Sequence, residues 1–299
     1  MKKIYLLIFT VIIICSGCKN ENSTEEVSDG KIVAVSSINI ISDIVKNIGG
    51  DKVESYSVCG VGVDPHTYHP KPSDPRLISK SNIVFINGFN LEHWIEEMIT
   101  GADRNKKVVT VSEGITPMTD EKGFGDPDPH AWFDVSNVKT YAENITDGLM
   151  EIDPKNAEYY DANLKKYLTE LDSLNGWIKS EIAKIPEDKR ILITSHDAFR
   201  YFGRAYGLDV KGLQGISTEA KVRTEDFKNI IDMIKEKKIR SVFIETSVNP
   251  KLLEQISGET GAQVGGTLYS DSIGNEGTDE GSYIGAVRFN VNTIVNSLK

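Results

Sequence analysis

The chain is poor in several things that would each have named a function. Its 299 residues contain three cysteines, at positions 15, 18 and 59, too few for the disulfide framework that holds small secreted scaffolds. There is no His-Glu-x-x-His pair and no Gly-x-Ser-x-Gly elbow, so the common zinc-protease and serine-hydrolase signatures are absent. Positive charge is in deficit: 34 Lys and Arg against 44 Asp and Glu give a formal charge of −10. A nucleic-acid partner, which calls for a basic face, is therefore excluded, and cation capture is mildly favoured. Histidine is scarce too, with five in the whole chain. That scarcity makes the setting of each one informative. What is present in ordinary amount is apolar residue, 39%, enough for normal cores, and the length suits about two domains.

The amino terminus reads as an address. Lys2 and Lys3 precede an apolar run over 4–15, and twelve residues are too few to span a bilayer, which needs about 20. A secretory segment of this length is exported and removed. It ends Cys15-Ser16-Gly17-Cys18, which resembles a bacterial lipobox with Cys18 as the lipidated first residue, although Cys15 stands where leucine is usual. Residues 1–17 are then a lipoprotein signal peptide, and the polar, aromatic-free stretch 18–30 is a flexible tether. This predicts a protein anchored to the cell membrane by lipid on its extracytoplasmic side. Cys59 reads as a small buried thiol at a strand end.

Four polar residues stand in segments shaped to present a side chain. His66 and His130 both follow Asp-Pro, in Gly62-Val63-Asp64-Pro65-His66 and Asp126-Pro127-Asp128-Pro129-His130. Proline fixes its own φ and pushes the preceding Asp into an extended conformation, which makes a stiff loop that aims an imidazole. His196 follows the apolar run 191–194 and Asp271 ends another strand-like run, the positions where open α/β sheets place ligands. Three imidazoles and a carboxylate suit a borderline divalent cation such as zinc better than calcium or magnesium. Of the other histidines, His69 reads as a rim residue because Pro70 follows it, and His93 as part of an exposed helix. Asp64, Asp126 and Asp128 read as loop formers, and Glu245 as an acceptor that orients a ligand imidazole. A zinc hydrolase would keep one coordination position open for water, whereas this set fills four, so a binding protein is expected rather than an enzyme. A metal-binding adhesin is the remaining alternative.

Beyond the tether the pattern alternates. Strand-length β-branched runs at 31–35, 53–58, 83–87 and 107–111 are separated by helix-like segments such as 39–48, and a second set follows at 191–194, 210–216, 241–246 and 263–269, with helices at 224–237 and 281–298. The fold class is α/β, with two lobes, each a mainly parallel sheet flanked by helices. Between them Leu164, Tyr167, Leu168, Leu171, Leu174, Ile178 and Ile182 recur at helical steps. Asp153 is placed to cap and Pro154 to open that helix, and at roughly 1.5 Å per residue it would reach about 48 Å. Gly176 is a point where it could bend. The expected organisation is an amino-terminal lobe over 31–153, a linking helix over 154–186 and a carboxyl-terminal lobe over 187–299.

These segments resemble the cluster A-I solute-binding lipoproteins, which deliver zinc or manganese to ABC transporters. The likeness runs through residues 42–51, 62–68, Asn87-Gly88-Phe89-Asn90-Leu91-Glu92, Asp128-Pro129-His130-Ala131-Trp132, Ser195-His196-Asp197-Ala198-Phe199, Glu245-Thr246-Ser247-Val248, Ser270-Asp271-Ser272 and Gly281-Ser282-Tyr283. It implies His66, His130, His196 and Asp271 as ligands of the transported metal, two lobes joined by one backbone helix, and limited hinge closure. It also implies a membrane permease with its cytoplasmic ATPase as partner, for a carrier expected to be monomeric. The third ligand position is His196 where manganese carriers often have Glu, which favours Zn2+ over Mn2+. Against this, segment 113–128 lacks the His-rich loop of many dedicated zinc carriers.

Overall fold

The computed structural model describes residues 30–102, 105–119 and 126–299. The expected signal segment, tether and Cys18 lie outside them. The first lobe is a four-stranded parallel sheet in the order β2-β1-β3-β4, built from β1 (Ile32–Ile38), β2 (Val53–Cys59), β3 (Ile83–Ile86) and β4 (Lys107–Thr110). Its helices are α1 (Asn39–Gly49), α2 (Asp74–Lys80), α3 (His93–Ala102) and α4 (Val135–Ile152). The second lobe repeats the plan as β6-β5-β7-β8, with β5 (Ile191–His196), β6 (Asp209–Gln214), β7 (Ser241–Glu245) and β8 (Gln263–Leu268), all parallel. Between the lobes runs α5 (Ala157–Ile182), and α6 (Arg200–Tyr206), α7 (Thr224–Lys237), α8 (Lys251–Thr260) and α9 (Tyr283–Leu298) complete the second lobe. The α/β class with two parallel-sheet lobes and a long helix between them is thus the observed fold.

Central strands are buried on both faces and largely apolar in their first halves, because helices cover both faces of a parallel sheet, and they turn polar toward their carboxyl ends. Val33, Ala34, Val35 and Ile38 in β1 are all buried. The α5 helix buries Tyr160, Tyr167, Leu171, Leu174, Ile178 and Ile182, a stripe at steps of three, four and seven. It packs on α4 and α1 of the first lobe and α9 of the second. One continuous apolar cluster therefore runs from Ile38 and Ile41 through Leu171 and Leu174 to Phe199, Leu268 and Val291.

Three expectations need correction. Asp153 does not cap the helix through its side chain; its Oδ2 instead accepts the hydroxyl of Tyr160 and the amide of Asn156, both at 2.7 Å. Pro154–Asn156 forms a tight turn of its own before α5 begins. Asp271 lies three residues past the end of β8 rather than ending that strand, whereas His196 is the last residue of β5, at the carboxyl end of a strand as expected.

The strand orders locate the functional crevice. In each sheet the chain leaves the first strand to one side and later crosses to the other, so reversal falls between β1 and β3 and between β5 and β7. Ligands bind outside the carboxyl ends of strands at such points. His196 and Glu245 end the two strands that flank the second reversal.

Candidate metal centre

The two Asp-Pro-His loops use one device. Asp64 Oδ1 accepts the backbone N–H of His66 at 2.9 Å, and Asp128 Oδ1 accepts that of His130 at 3.0 Å, so each Asp closes a short turn over its proline. The loop-forming role expected of these two residues is what the structure shows, and each has more to do. Asp64 Oδ2 accepts the Thr218 hydroxyl from the second lobe at 2.6 Å, and Gly62, at φ +68°, donates its N–H to Ser272 of that lobe at 3.0 Å. Pro65 carbonyl accepts the Trp94 indole at 2.8 Å. The His66 loop is thereby fixed to both lobes.

His130 is held from its far side. Its Nδ1 lies 2.8 Å from Asp128 Oδ1, and Asp128 Oδ2 faces the Arg200 guanidinium at 3.7 Å. The Asn87 amide, just past β3, donates to Pro129 carbonyl at 2.9 Å and accepts the Tyr141 hydroxyl. Both oxygens of buried Glu92 accept backbone N–H groups, those of Asn87 and Gly88. This bridges a turn in which Gly88, Phe89 and Asn90 all have positive φ, a conformation that costs the two non-glycine residues strain. His196 takes its orientation from β7: Glu245 Oε1 accepts its backbone N–H at 2.8 Å and Oε2 lies 2.6 Å from its Nδ1, though off the ideal N–H direction.

The four side chains meet. His130 Nε2 lies 3.2 Å from Nε2 of His66 and 3.2 Å from Nε2 of His196, and Asp271 Oδ1 lies 3.4 Å and 3.6 Å from the Nε2 atoms of His130 and His196. All four donor atoms fall within 4.8 Å of one another. Bonds of 2.0–2.1 Å in a tetrahedral shell put donor atoms about 3.3 Å apart, so the four separations of 3.2–3.6 Å suit a zinc-sized cation. With Nδ1 protons of His130 and His196 given to carboxylates, an assignment that follows from their partners, two Nε2 lone pairs face each other. Only a cation, metal or proton, relieves that arrangement.

Electrostatics agree. Burial, aided by the charges of His130, His196 and His93, lowers the proton affinity of His66, to a pKa of about 3, against the weaker pull of Asp271. Burial opposes charge on His130 and His196 as well, but the carboxylates around them outweigh it: Asp128 and Asp271 raise His130, and Glu245 and Asp271 raise His196 well above the ordinary imidazole value. Burial penalises the Asp271 carboxylate too, and its two imidazole neighbours still hold it well below the usual range. Oδ1 of Asp271 is buried with no hydrogen-bond donor, as suits an atom meant for a cation. Exposure is 7% for His66 and at most 1% for the other three, so solvent reaches the centre from the His66 side. There a cleft of about 320 Å³ opens between Phe89, Leu91 and His93 on one wall and Ile216 and Ser217 on the other.

His69 and His93 are both exposed, His93 at the start of α3, and neither is part of the cluster. Asp126 is exposed on the cleft rim. Cys59 is a free buried thiol, its pKa pushed far up by burial. Sequence reasoning missed the grip of Asp128 on the His130 ring, the Asn87 brace and the hydroxyls of Ser247 and Ser270 beside Asp271. The repeated Asp-Pro-His marks the loop, but a loop-closing Asp does not announce that it also reaches the ring. The Asn87 brace and the Ser247 hydroxyl depend on partners more than 20 residues away in sequence and leave no local mark, while Ser270 is the residue before Asp271.

A family model described as zinc-uptake complex component A, periplasmic, matches residues 34–297. The manganese-binding lipoprotein MntA of Halalkalibacterium halodurans is 35% identical over 301 residues, covering 100% of this chain and 99% of its own. The manganese ABC transporter substrate-binding lipoprotein PsaA of Streptococcus pneumoniae is 33% identical over 308 residues, covering 100% and 99%. Among solved structures, the periplasmic zinc-binding protein TroA of Treponema pallidum superposes with a TM-score of 0.86 at 34% identity, over 90% of this chain and 99% of that one. With the fold, the crevice and the His3Asp cluster in place, this match over most of the chain shows that it belongs to the zinc-uptake complex component A family.

Proposed function

We propose that the chain captures a divalent first-row transition metal outside the cytoplasmic membrane, through His66, His130, His196 and Asp271, and delivers it to an ABC permease. The observation that carries this reading is the convergence of three imidazole nitrogens and one carboxylate oxygen, buried and held from behind by Asp128 and Glu245. Relatives along the whole length are named as lipoproteins, MntA as manganese-binding and PsaA as the substrate-binding lipoprotein of a manganese ABC transporter, which supports the permease with its ATPase as partner and a lipid anchor at Cys18. The lobes 31–153 and 187–299 with the 154–186 helix are taken as the working units of a monomeric carrier. Against a hydrolase stands the donor count, which leaves no protein-free position in a four-coordinate shell.

On coordination grounds zinc binds more tightly than manganese. Three neutral nitrogens favour it, and one oxygen of Asp271 is taken up by a hydroxyl, leaving a single carboxylate donor. The names of MntA and PsaA favour manganese as the cargo in the cell, and the two statements are compatible because nearly any such site holds zinc more tightly in vitro. Competition titration of metal-free protein tests the first: zinc should displace manganese, and His196→Ala or Asp271→Ala should weaken both at least about tenfold. Parent-like binding by either variant would sink the ligand set. Metal content of a deletion strain tests the second, since a defect cured by manganese alone, with normal zinc content, assigns manganese as cargo. Cys18→Ala should leave the protein unprocessed or released from the membrane, and an unmodified Cys18 in membrane-bound protein would remove the anchor.

A further inference from the structure

We propose that the Ser247 hydroxyl, backed by that of Ser270, holds Asp271 to a single metal-binding oxygen and so sets selectivity toward cations content with four ligands. The inference rests on the metal-carrier reading above and goes further, to a residue that touches no metal. Ser247 Oγ lies 2.8 Å from Asp271 Oδ2, and a carboxylate can only accept, so the serine proton is directed there. Ser270 Oγ lies 2.9 Å from Ser247 Oγ but 3.4 Å from the same Oδ2. Each hydroxyl has one proton to give. The Ser247 proton is committed to the carboxylate, so Ser270 donates to Ser247, and the two form a short chain that ends on Oδ2 and strengthens the charge-assisted bond there.

The geometry of the carboxylate is thereby split. Oδ2 is occupied, while Oδ1 is buried without a donor and faces the Nε2 atoms of His130 and His196. Rotation of the carboxylate to offer both oxygens to one cation would break the Ser247 bond. Ser247 is itself positioned by β7: two residues before it Glu245 orients His196, and between them the Thr246 N–H bonds Leu268 carbonyl at 3.0 Å, keeping the loop in register with β8. One short segment thus steers both second-lobe donors. Zinc is satisfied by four donors, whereas manganese prefers a higher number and more oxygen, so freeing Oδ2 should help manganese more than zinc.

The test compares parent, Ser247→Ala, Ser247→Thr and the double variant Ser247→Ala/Ser270→Ala, the last because Ser270 could otherwise step into the lost bond. Zinc and manganese dissociation constants are measured by competition, and cobalt(II) is bound as a spectroscopic probe of coordination number. The double variant should narrow the preference for zinc over manganese by about tenfold, the lower end of effects seen when a group behind a ligand is lost. Its cobalt absorption should weaken as the shell grows from four ligands to five, while Ser247→Thr, which keeps the hydroxyl, should match the parent. Equal weakening for both metals with an unchanged cobalt spectrum would reduce Ser247 to a structural role and overturn the proposal, as would parent-like behaviour of the double variant. Loss of all metal binding by the parent would instead overturn the carrier reading beneath it. Melting of the metal-free proteins checks that the variants fold.

Discussion

His130 and His196 approach each other through nitrogens whose protons have been directed elsewhere, and the chemistry of the site follows from that pair. Their Nε2 atoms are 3.2 Å apart, and each ring has a carboxylate, Asp128 or Glu245, at its Nδ1. Glu245→Gln keeps the shape but offers an amide that can donate to Nδ1, which lets the ring turn its Nε2 proton toward the centre. Metal affinity should fall about 10- to 100-fold, measured by competition with a chelating dye. The same pair sets the pH response. In the metal-free protein the surrounding carboxylates raise His130 and His196 above the ordinary value of 6.5, so protons compete with metal there, while His66, lowered by burial to about 3, carries none near neutrality. Metal binding must expel those protons, so affinity should keep climbing as pH rises past 6.5, where unperturbed imidazoles would level off. Calorimetry in buffers of different ionisation enthalpy should detect proton release at pH 7, and its absence would contradict the assignment. At this scale the sequence was legible where stiffness is local, as in Asp-Pro-His. It was silent about Asp128 acting on the His130 ring, because a loop-closing Asp and a ring-orienting Asp look alike until the ring is placed.

Helices and strands show where pattern reading succeeds and where packing hides the pattern. The long helix was evident from its leucines and tyrosines. Its neighbour α4 was not read, although Val135, Val138, Tyr141, Ala142, Ile145 and Leu149 are buried along one face. Its signal is diluted by small residues, and they are small for a reason: a Cβ at Gly148 would lie 2.8 Å from Val109 and 3.2 Å from Ile83, so the helix sits close on the sheet. Gly176 in α5 differs. No heavy atom would meet a Cβ there, the position is exposed, and the helix continues unbroken across it from Ala157 to Ile182. Gly176→Ala should therefore stabilise the protein by about 0.5–1 kcal/mol, chiefly by restricting the unfolded chain, and raise the melting temperature by roughly 1–4 °C. A fall in melting temperature would mean that the helix needs the glycine after all. Gly212 in β6 should behave in the opposite way, because its Cβ would fall 2.4–2.6 Å from backbone atoms of His196 and Asp197. Gly212→Ala should cost about 1–3 kcal/mol by overpacking and, by pushing the end of β5, weaken metal binding as well.

The two lobes share one apolar cluster through α5, so the molecule has little freedom to open like a hinge, and bound metal is expected to act chiefly by adding stability. At a free metal concentration about 100 times the dissociation constant that addition is about 2.7 kcal/mol, visible as a concentration-dependent rise in melting temperature. The seam beside the centre is joined polar group to polar group. Asn39 at the start of α1 both donates to and accepts from the backbone of Ile273, two residues beyond Asp271, at 3.2 and 3.1 Å. Lys46 pairs with Glu276 at 2.8 Å, but both are exposed and contribute little. Asp43 is the unusual member: its Oδ2 accepts the N–H of Tyr283 at the start of α9, at 2.8 Å, so a first-lobe carboxylate closes the end of a second-lobe helix. Burial raises its pKa to about 6 despite that bond, the charge of Lys46 and the Asn47 side chain, and the phenol of Tyr167 also faces it. A folded value above the unfolded one means that the folded state holds the proton more tightly. The stability contributed by that proton is fully present below the ordinary carboxylate value of 3.8 and is lost as pH rises through about 6. At pH 8 the native protein therefore carries a partly buried carboxylate across its seam at a cost. Asp43→Asn retains an oxygen to accept the Tyr283 N–H and removes the charge. In the metal-free protein it should raise the melting temperature at pH 8, with the gain shrinking as pH is lowered through 6 and vanishing near 4. A shift of equal size at pH 8 and pH 4 would mean that the substitution acts through shape alone and that Asp43 does not govern the pH response of the seam.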